Sequence, residues 1–366
     1  MSDLRLIERV VKKKRTPLLV VDRGVVRQKF RELQESIGNA KICYALKTNS
    51  HWRIIELLQE LGSDFEISSQ GELGLLLRRG IPPQRIISSN PVKTETFIKA
   101  AFRAGINLFA FDSYDELEKL ARFASGSKVY VRLTVSNDGS QWPLIRKFGV
   151  ETEDAVALLE EAQKKQLIPY GITFHVGSQC IDPETWVKAI EKSKMVWDSA
   201  KDRGIELRML NLGGGFPINY GDSTLSIGEI AEHVKDTINR LFPEDIEIFV
   251  EPGRVLVGEA GTLVTTVIGK AMRNGEKWLY LDVGVFNGLM ESIGGIKYPM
   301  TFSRNGSLQP CVLAGPSCDS VDIIQNDILL PELEVGDNVY ILSAGAYTTA
   351  YASRFDGFTI PQTVLL

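Results

Sequence analysis

The chain is poor in the residues that build metal sites and disulfides. Its 366 residues include only four cysteines (Cys43, Cys180, Cys311, Cys318) and three histidines (His51, His175, His233). Neither CxxC nor HExxH occurs, so no structural or catalytic metal site is expected. Four widely spaced cysteines in a chain of this length read as reduced thiols. No apolar run approaches the ~20 residues of a membrane span. The first 15 residues, MSDLRLIERVVKKKR, are amphipathic and lack the apolar core of a signal peptide, so the expectation is a cytoplasmic protein. Basic residues are not concentrated either. The block KKKR (Lys12 to Arg15) is short, and the formal net charge is -4. That balance speaks for a solvated face rather than a nucleic-acid-binding arm.

What is present is a globular composition with a regular alternation of elements. Eight β-like runs follow one another, near 41–46, 65–68, 86–89, 108–112, 128–134, 172–176, 208–212 and 246–251. Between them lie amphipathic stretches such as WRIIELLQELG and DELEKLARFA, with apolar residues at helical spacing. Most of the runs are continuously apolar, as befits parallel strands buried on both faces. Eight such units predict an α/β fold, a (β/α)8 TIM-type barrel over residues 23–257, opened by a helix at 23–37. After residue 258 the helices disappear. TLVTTVIGKA, KWLYLDVGVF, QPCVLAG, DIILLP interrupted by QND, and NVYILSAGAY read as an antiparallel β-domain at 258–366. The run TPLLVVD (16–22) is assigned to that domain, which then comprises 1–22 and 258–366.

The first barrel run ends unexpectedly: Ile42-Cys43-Tyr44-Ala45-Leu46 stops at an amine, Lys47, followed by the turn residues Thr48, Asn49 and Ser50. In these barrels, chemistry collects at the C-terminal ends of the strands. Glu66, Arg132, His175 in HVGSQ, the triplet Gly213-Gly214-Gly215 in GGGFP, and Glu251 to Arg254 in EPGR all fall at such ends. Singly, each has an ordinary reading: a surface lysine, a core histidine, a turn, a salt-bridged loop. Their coincidence at one rim points to a phosphate-bearing aldehyde cofactor. Glycines after strand 7 expose N–H groups to a phosphate, and Gly253 and Arg254 complete the cup. Lys47 is the amine that bonds the aldehyde. Glu251 keeps a pyridine nitrogen protonated, so that the ring can accept electrons. His175 lies against the ring.

YALKTN, HVGSQ, GGGFP, EPGR, GPSCDSVD and GAYTTAYASRFDGF, in this order between residues 44 and 358, resemble the fold-type III pyridoxal-phosphate decarboxylases of the alanine racemase fold, the group of ornithine, lysine, diaminopimelate and arginine decarboxylases. The resemblance implies pyridoxal 5'-phosphate as cofactor and Lys47 as its covalent attachment point. It implies that His175 stacks on the ring and that Ser178, Gly215, Gly253, Arg254 and Tyr347 hold the phosphate. Glu251 contacts the ring nitrogen, Arg132 supports that carboxylate, and Glu66 is an acid near the ring. It further implies a head-to-tail homodimer with shared sites. In that arrangement Cys318 and Asp319 serve the partner's site, and Lys147 and Asp322 form a pair bridging the interface. Cys318 returns a proton to the substrate carbon after CO2 leaves, Asp319 receives a distal ammonium, and Tyr298 and Phe355 line the substrate.

The Cys-Asp pair is similar to enzymes acting on ornithine or lysine. Diaminopimelate-type enzymes carry Cys-Glu and use an arginine for a distal carboxylate. The expected reaction is therefore decarboxylation of a basic L-amino acid, foremost L-ornithine to putrescine and CO2, with L-lysine to cadaverine beside it. A lysine-preferring or diaminopimelate-type enzyme is the alternative. SQWPLIRKFG and IKYP resemble bacterial lysine/ornithine decarboxylases. Tyr298 is followed by Pro299, where animal-type ornithine decarboxylases carry a second substrate aspartate. Glu291 or a bridging water is the candidate replacement. A racemase places an arginine where Glu251 stands, and a non-catalytic antizyme-inhibitor-like protein loses residues that are present here as Lys47, Glu251 and Cys318.

Overall fold

The computed structural model describes residues 4–221 and 225–366. The chain divides into two compact units: Met1–Lys29 with Ile218–Thr224 and Arg254–Leu366, and Phe30–Pro217 with Leu225–Gly253. The division falls inside the helix Arg23–Ile37, so the units do not follow the expected boundaries at 22/23 and 257/258 residue for residue.

Strand β1 (Leu18–Val21) precedes the barrel. The barrel strands are β2 (Lys41–Ala45), β3 (Asp64–Glu66), β4 (Ile86–Ile87), β5 (Leu108–Phe111) and β6 (Lys128–Arg132). A short strand β7 (Ser140–Trp142) interrupts them before β8 (Ile168–Thr173); β7 pairs with β9 (Ser178–Cys180) as a separate antiparallel ribbon. The barrel ends with β10 (Met209–Asn211) and β11 (Glu247–Val250). All its pairings are parallel, in the order β4-β3-β2-β11-β10-β8-β6-β5, and a parallel bridge between Ser88 and Phe109 joins the two ends. Cys43, Ile87, Ala110, Tyr130, Met209 and Phe249 pack together inside. The expected strands are found with shifts of a few residues.

Local chemistry starts the helices between the strands. Ser69, Thr94, Ser113 and Asp182 each accept a backbone N–H from the first turn of the following helix, and Ser226 with Glu229 forms a reciprocal capping box.

The other unit is a mixed sheet. β12 (Gly261–Arg273) and β13 (Glu276–Leu281) form a hairpin turned at Asn274–Gly275. There follow β14 (Met300–Phe302), β15 (Gln309–Ala314), β16 (Ile323–Leu330), β17 (Asn338–Ile341) and β18 (Gln362–Leu365). β1 pairs with β12, as the sequence predicts for TPLLVVD. The sheet is mainly antiparallel, but β1 with β18 and β13 with β15 are parallel pairs. The long connections between those strands allow the chain to return in the same direction. Gln325-Asn326-Asp327 does not interrupt the strand that contains it. β16 runs through, absorbing the polar residues in register shifts against β15, with Asp327 at φ 52°.

One buried ion pair secures the loop after β4. Lys93 has no exposed side-chain surface; its Nζ meets Glu116 Oε1 at 2.9 Å and donates to the carbonyls of Asn90 (2.9 Å) and Ala110 (2.6 Å). Glu116 also meets Lys119 at 2.5 Å. Burial pushes the Lys93 amine down to about 8, against the opposing pull of Glu116. The folded state therefore binds this proton less tightly than the unfolded chain, and stability from this group rises as pH climbs from about 8 toward the ordinary lysine range. Lys93→Met is expected to cost about 3 kcal/mol, read as a lowered midpoint of thermal unfolding. It should also remove that part of the wild-type stability gain above pH 8. An unchanged midpoint would count against this role.

Candidate active site

The barrel unit gathers polar groups at the C-terminal ends of its strands. β2 is buried from Ile42 to Ala45 and then turns through Leu46–Thr48, which carries Lys47. The Tyr44 hydroxyl donates to the Asn49 carbonyl at 3.0 Å, and the Ala45 N–H donates to the Pro252 carbonyl at 3.0 Å. The turn is thereby held against the segment that bears Glu251. The side chain of Lys47 is half exposed, and its Nζ stands 3.8 Å from Oε2 of buried Glu66. Register explains the meeting: Ala45 and Glu66 are partners across β2 and β3.

Glu251 follows β11 and is buried. Its Oε1 accepts from Asn211 Nδ2 at 2.6 Å and from the Ser89 hydroxyl. Asn211 works in both directions, because its Oδ1 accepts the Gly213 N–H at 2.9 Å. Burial, then the charge of Glu66, raises the Glu251 carboxyl above its usual range, while Ser89, Asn211 and Lys47 oppose that rise.

His175 follows β8. Its Nδ1 accepts the Gly177 N–H at 3.0 Å, so the neutral ring carries its proton on Nε2. Desolvation, then the charges of Arg132 and Lys47, holds the imidazole well below its ordinary value. Arg132, at the end of β6, lies 5.2 Å from the centre of the Phe148 ring.

The glycine triplet is a steric requirement. A Cβ on Gly213, Gly214 or Gly215 would fall within 2.6 Å of a backbone carbonyl oxygen, and Gly215 has φ 106°. A Cβ on Gly253 would lie 2.0 Å from Thr48 Oγ1, a buried hydroxyl with no hydrogen-bond partner among the described residues. Ser178 opens β9, two residues before Cys180, whose N–H donates to the Gly215 carbonyl at 2.9 Å. An amine at a strand end, a carboxylate held by one oxygen, a neutral imidazole and a glycine cradle fit a phosphorylated pyridine aldehyde.

The β-rich unit holds the remaining expected residues in two groups. Arg254 is buried and forks onto Glu291, with Nη1 to Oε2 at 2.8 Å and Nη2 to Oε1 at 2.5 Å. Nη1 also donates to the Tyr220 hydroxyl at 2.6 Å. The guanidinium lies 5.0 Å from the Tyr347 ring centre, and Tyr298 meets Tyr220 edge-on at 5.5 Å. Both oxygens of Glu291 are thus engaged by arginine. Glu291, one candidate for the missing second substrate carboxylate, is thus buried and paired with Arg254.

Cys318, Asp319 and Phe355 form the second group. Cys318 is exposed, and its N–H and Sγ both meet Asp356 Oδ2, at 3.1 and 3.2 Å. The hydrogen bond to Asp356, and its charge, raise the thiol above its ordinary value. Asp319 Oδ1 accepts the Val321 N–H at 2.9 Å, and Phe355 packs on Phe286 with ring centres 4.6 Å apart. Asp322 is buried and accepts the N–H groups of Val285 (2.8 Å) and Ser317 (2.9 Å), a backbone role that the sequence does not signal. Lys147 lies 5.0 Å from the Phe148 ring centre in the barrel unit.

Sequence reasoning missed Ser89, Tyr130, Asn211, Glu72 and Asp356. The asparagine inside the apolar run RMLNL was a usable signal. Glu72 accepts the Ser68 N–H at 2.7 Å, and burial pushes its carboxyl up to about 7. Its position after Ser69 reads locally as helix capping.

Comparison with known proteins agrees with this geometry. Residues 23–258 match the family described as pyridoxal-dependent decarboxylase, pyridoxal binding domain. The chain is 36% identical to a lysine/ornithine decarboxylase of Selenomonas ruminantium over 100% of this chain and 94% of that one. It is 34% identical to an ornithine decarboxylase of Schizosaccharomyces pombe, over 94% and 81%. It superposes with a TM-score of 0.93 on the crystal structure of the Vibrio vulnificus lysine/ornithine decarboxylase complexed with cadaverine, at 35% identity over 99% and 98%. With a glycine cradle, a strand-end lysine and a buried carboxylate at the rim of an eight-stranded barrel, the chain belongs to the pyridoxal-dependent decarboxylases, and pyridoxal phosphate is its cofactor.

Proposed function

We propose that this enzyme decarboxylates a basic L-amino acid carrying a distal amine, L-ornithine to putrescine and L-lysine to cadaverine, as a cytoplasmic homodimer in which Cys318 and Asp319 serve the partner's site. The observation that carries the reading is Asp319, an exposed carboxylate on the tip held beside Cys318. It supports recognition of a cation and disfavours a substrate with a distal carboxylate, such as diaminopimelate. Buried Glu251 supports decarboxylation over racemisation, because an acid at the ring nitrogen favours full electron withdrawal. The relatives named for lysine and ornithine support the same class.

Pyridoxal phosphate, when bound, supplies the sink for the electron pair left by CO2. The residues divide the remaining tasks. Lys47, the amine at the strand end, would be the attachment point for the cofactor's aldehyde. His175, neutral with its proton on Nε2, would lie against the ring without adding charge. Gly213 to Gly215, Gly253, Ser178, Arg254 and Tyr347 are assigned to the phosphate, and Arg132 and Glu66 set the field around Glu251. Cys318 Sγ delivers a proton to the substrate Cα, which requires a thiol rather than a thiolate. Asp356 supplies that condition through its bond to Sγ. Tyr298 and Phe355 are assigned to the walls of the substrate site.

CO2 release should be measured with L-ornithine, L-lysine, L-arginine and meso-diaminopimelate. Release from ornithine or lysine, and little from the others, is the expected result; preference for diaminopimelate would overturn the role of Asp319. Lys47→Ala should lose turnover and the visible band of the attached cofactor. Mixing Lys47→Ala with Cys318→Ala protein should regain activity through hybrid dimers, and no recovery despite subunit exchange would refute shared sites. Asp356→Ala should lower the Cys318 pKa, so alkylation of Cys318 near pH 8 should speed up severalfold while proton delivery falters and aldehyde by-product increases. Alkylation at the wild-type rate would remove Asp356 from this role.

A further inference from the structure

Glu251 is held by more than its neighbours in the sheet. Three side chains from strands that are not adjacent meet across the lumen of the barrel: Tyr130 from β6, Ser89 from the segment after β4, and Glu251 from the end of β11. The Tyr130 hydroxyl and Ser89 Oγ are 2.5 Å apart, and Ser89 Oγ bonds Glu251 Oε1. All three are buried, and Tyr130 completely so. The backbone fixes the serine. Ser88 donates to the Leu108 carbonyl and accepts from the Ala110 N–H at 2.8 Å, and Lys93 clamps the same loop through the carbonyls of Asn90 and Ala110.

The direction of donation follows from the chemistry. An ionised carboxylate only accepts, so the single Ser89 proton goes to Glu251. Ser89 Oγ then has only lone pairs for Tyr130, whose hydroxyl must donate. The resulting chain, Tyr130 to Ser89 to Glu251, is polarised toward the carboxylate, and each bond strengthens the next. Asn211 Nδ2 adds a second donor to the same oxygen. Among the described residues, no group donates to Oε2 of Glu251.

We propose that Tyr130 and Ser89 are positioning residues: a relay of two hydroxyls that fixes Oε1 of Glu251 and reserves Oε2 for the ring nitrogen of the cofactor. The inference rests on the reading of Glu251 as the partner of that nitrogen. Burial and the charge of Glu66 favour a protonated Glu251, whereas Ser89, Asn211 and Lys47 favour the charged form. Arg132 on β6 is a further cation whose charge couples to Glu251, and Tyr130 and Cys43 face it as neutral groups. His175, beside Gly214, is neutral as well. Without the relay the balance tips toward a protonated acid, which lacks the negative charge that keeps a ring nitrogen protonated.

The test is the affinity of refolded or resolved apoenzyme for pyridoxal phosphate across pH, followed by the absorbance of the bound cofactor, for wild type, Ser89→Ala, Tyr130→Phe, the double variant, Ser89→Thr and Glu251→Gln. Ser89→Ala is expected to bind about tenfold more weakly at neutral pH, and to move the midpoint of the pH profile upward by about one unit. Binding should recover at higher pH, where Glu251 ionises without help. Tyr130→Phe deletes one oxygen and leaves the packed ring, so it should shift the profile the same way, by less. The double variant should match Ser89→Ala, since the tyrosine acts only through the serine, and Ser89→Thr should restore the wild-type profile. If Glu251→Gln weakens binding while Ser89→Ala and Tyr130→Phe keep the wild-type midpoint, or if their effects add in full, the relay is refuted and the reading of Glu251 stands. If Glu251→Gln binds as wild type at every pH, the reading of Glu251 fails and the relay with it.

Discussion

A carboxylate buried in a barrel lumen sets the terms for the rest of the site. An uncompensated charge there costs several kcal/mol, and each hydrogen bond to a charged group returns about 1.5–3. The compensation for Glu251 comes from Ser89, Asn211, Lys47 and Arg132, which arrive on or just beyond four different strands. Only a closed ring of parallel strands brings those ends together, so the architecture and the charge require each other. Asn211 joins two tasks in one side chain, since it donates to Glu251 and accepts from Gly213. The glycine triplet and the acid cannot move independently while that amide bridges them.

The same reasoning explains what could be read from the chain beforehand. Parallel strands buried on both faces leave continuous apolar runs, and a charged residue closing such a run stands out. Lys47, Glu66, Arg132, His175 and Glu251 were therefore visible as strand-end residues. Ser89 and Asn211 were not, because a serine or asparagine at a strand end also suits a turn. Tyr130 in KVYVR looks like a strand former, and its hydroxyl finds a use only across the lumen. The fork between Arg254 and Glu291 spans 37 residues of sequence with no local pattern to announce it. Gln325-Asn326-Asp327 misled in the opposite direction. Turn-like residues stayed in β16 because β15 supplies the ladder and a bulge absorbs the misfit.

In the β-rich unit, acidic side chains act as staples. Asp322 accepts from Val285 and Ser317, and its main chain closes the loop through the Gly315 N–H at 2.8 Å. A Cβ on Gly284 or Gly315 would lie within 2.2 Å of Asp322 Oδ1, so both glycines are there to admit this carboxylate. Asp356, itself at φ 53°, holds the Cys318 end of the same loop. The exposed tip that carries Cys318 and Asp319 is thus fixed at its base. In the proposed role of offering a proton and a charge at set positions, such a tip would gain from this fixing, because a displacement of about 1 Å can cost on the order of a hundredfold in rate.

Charge and length contribute unequally to substrate choice. Under the proposed reading, opposing a distal carboxylate to Asp319 would place like charges together, which disfavours such a substrate. Ornithine and lysine differ by one methylene, worth about 0.8 kcal/mol, or roughly a fourfold ratio. If Asp319 receives the distal amine as proposed, the pocket would sort substrates sharply by class and weakly by chain length. Stricter discrimination between the two diamino acids would need a polar group that pairs with the amine at one length and is left buried and unpaired at the other. Asp319 sits on an exposed tip, where a water can fill the difference.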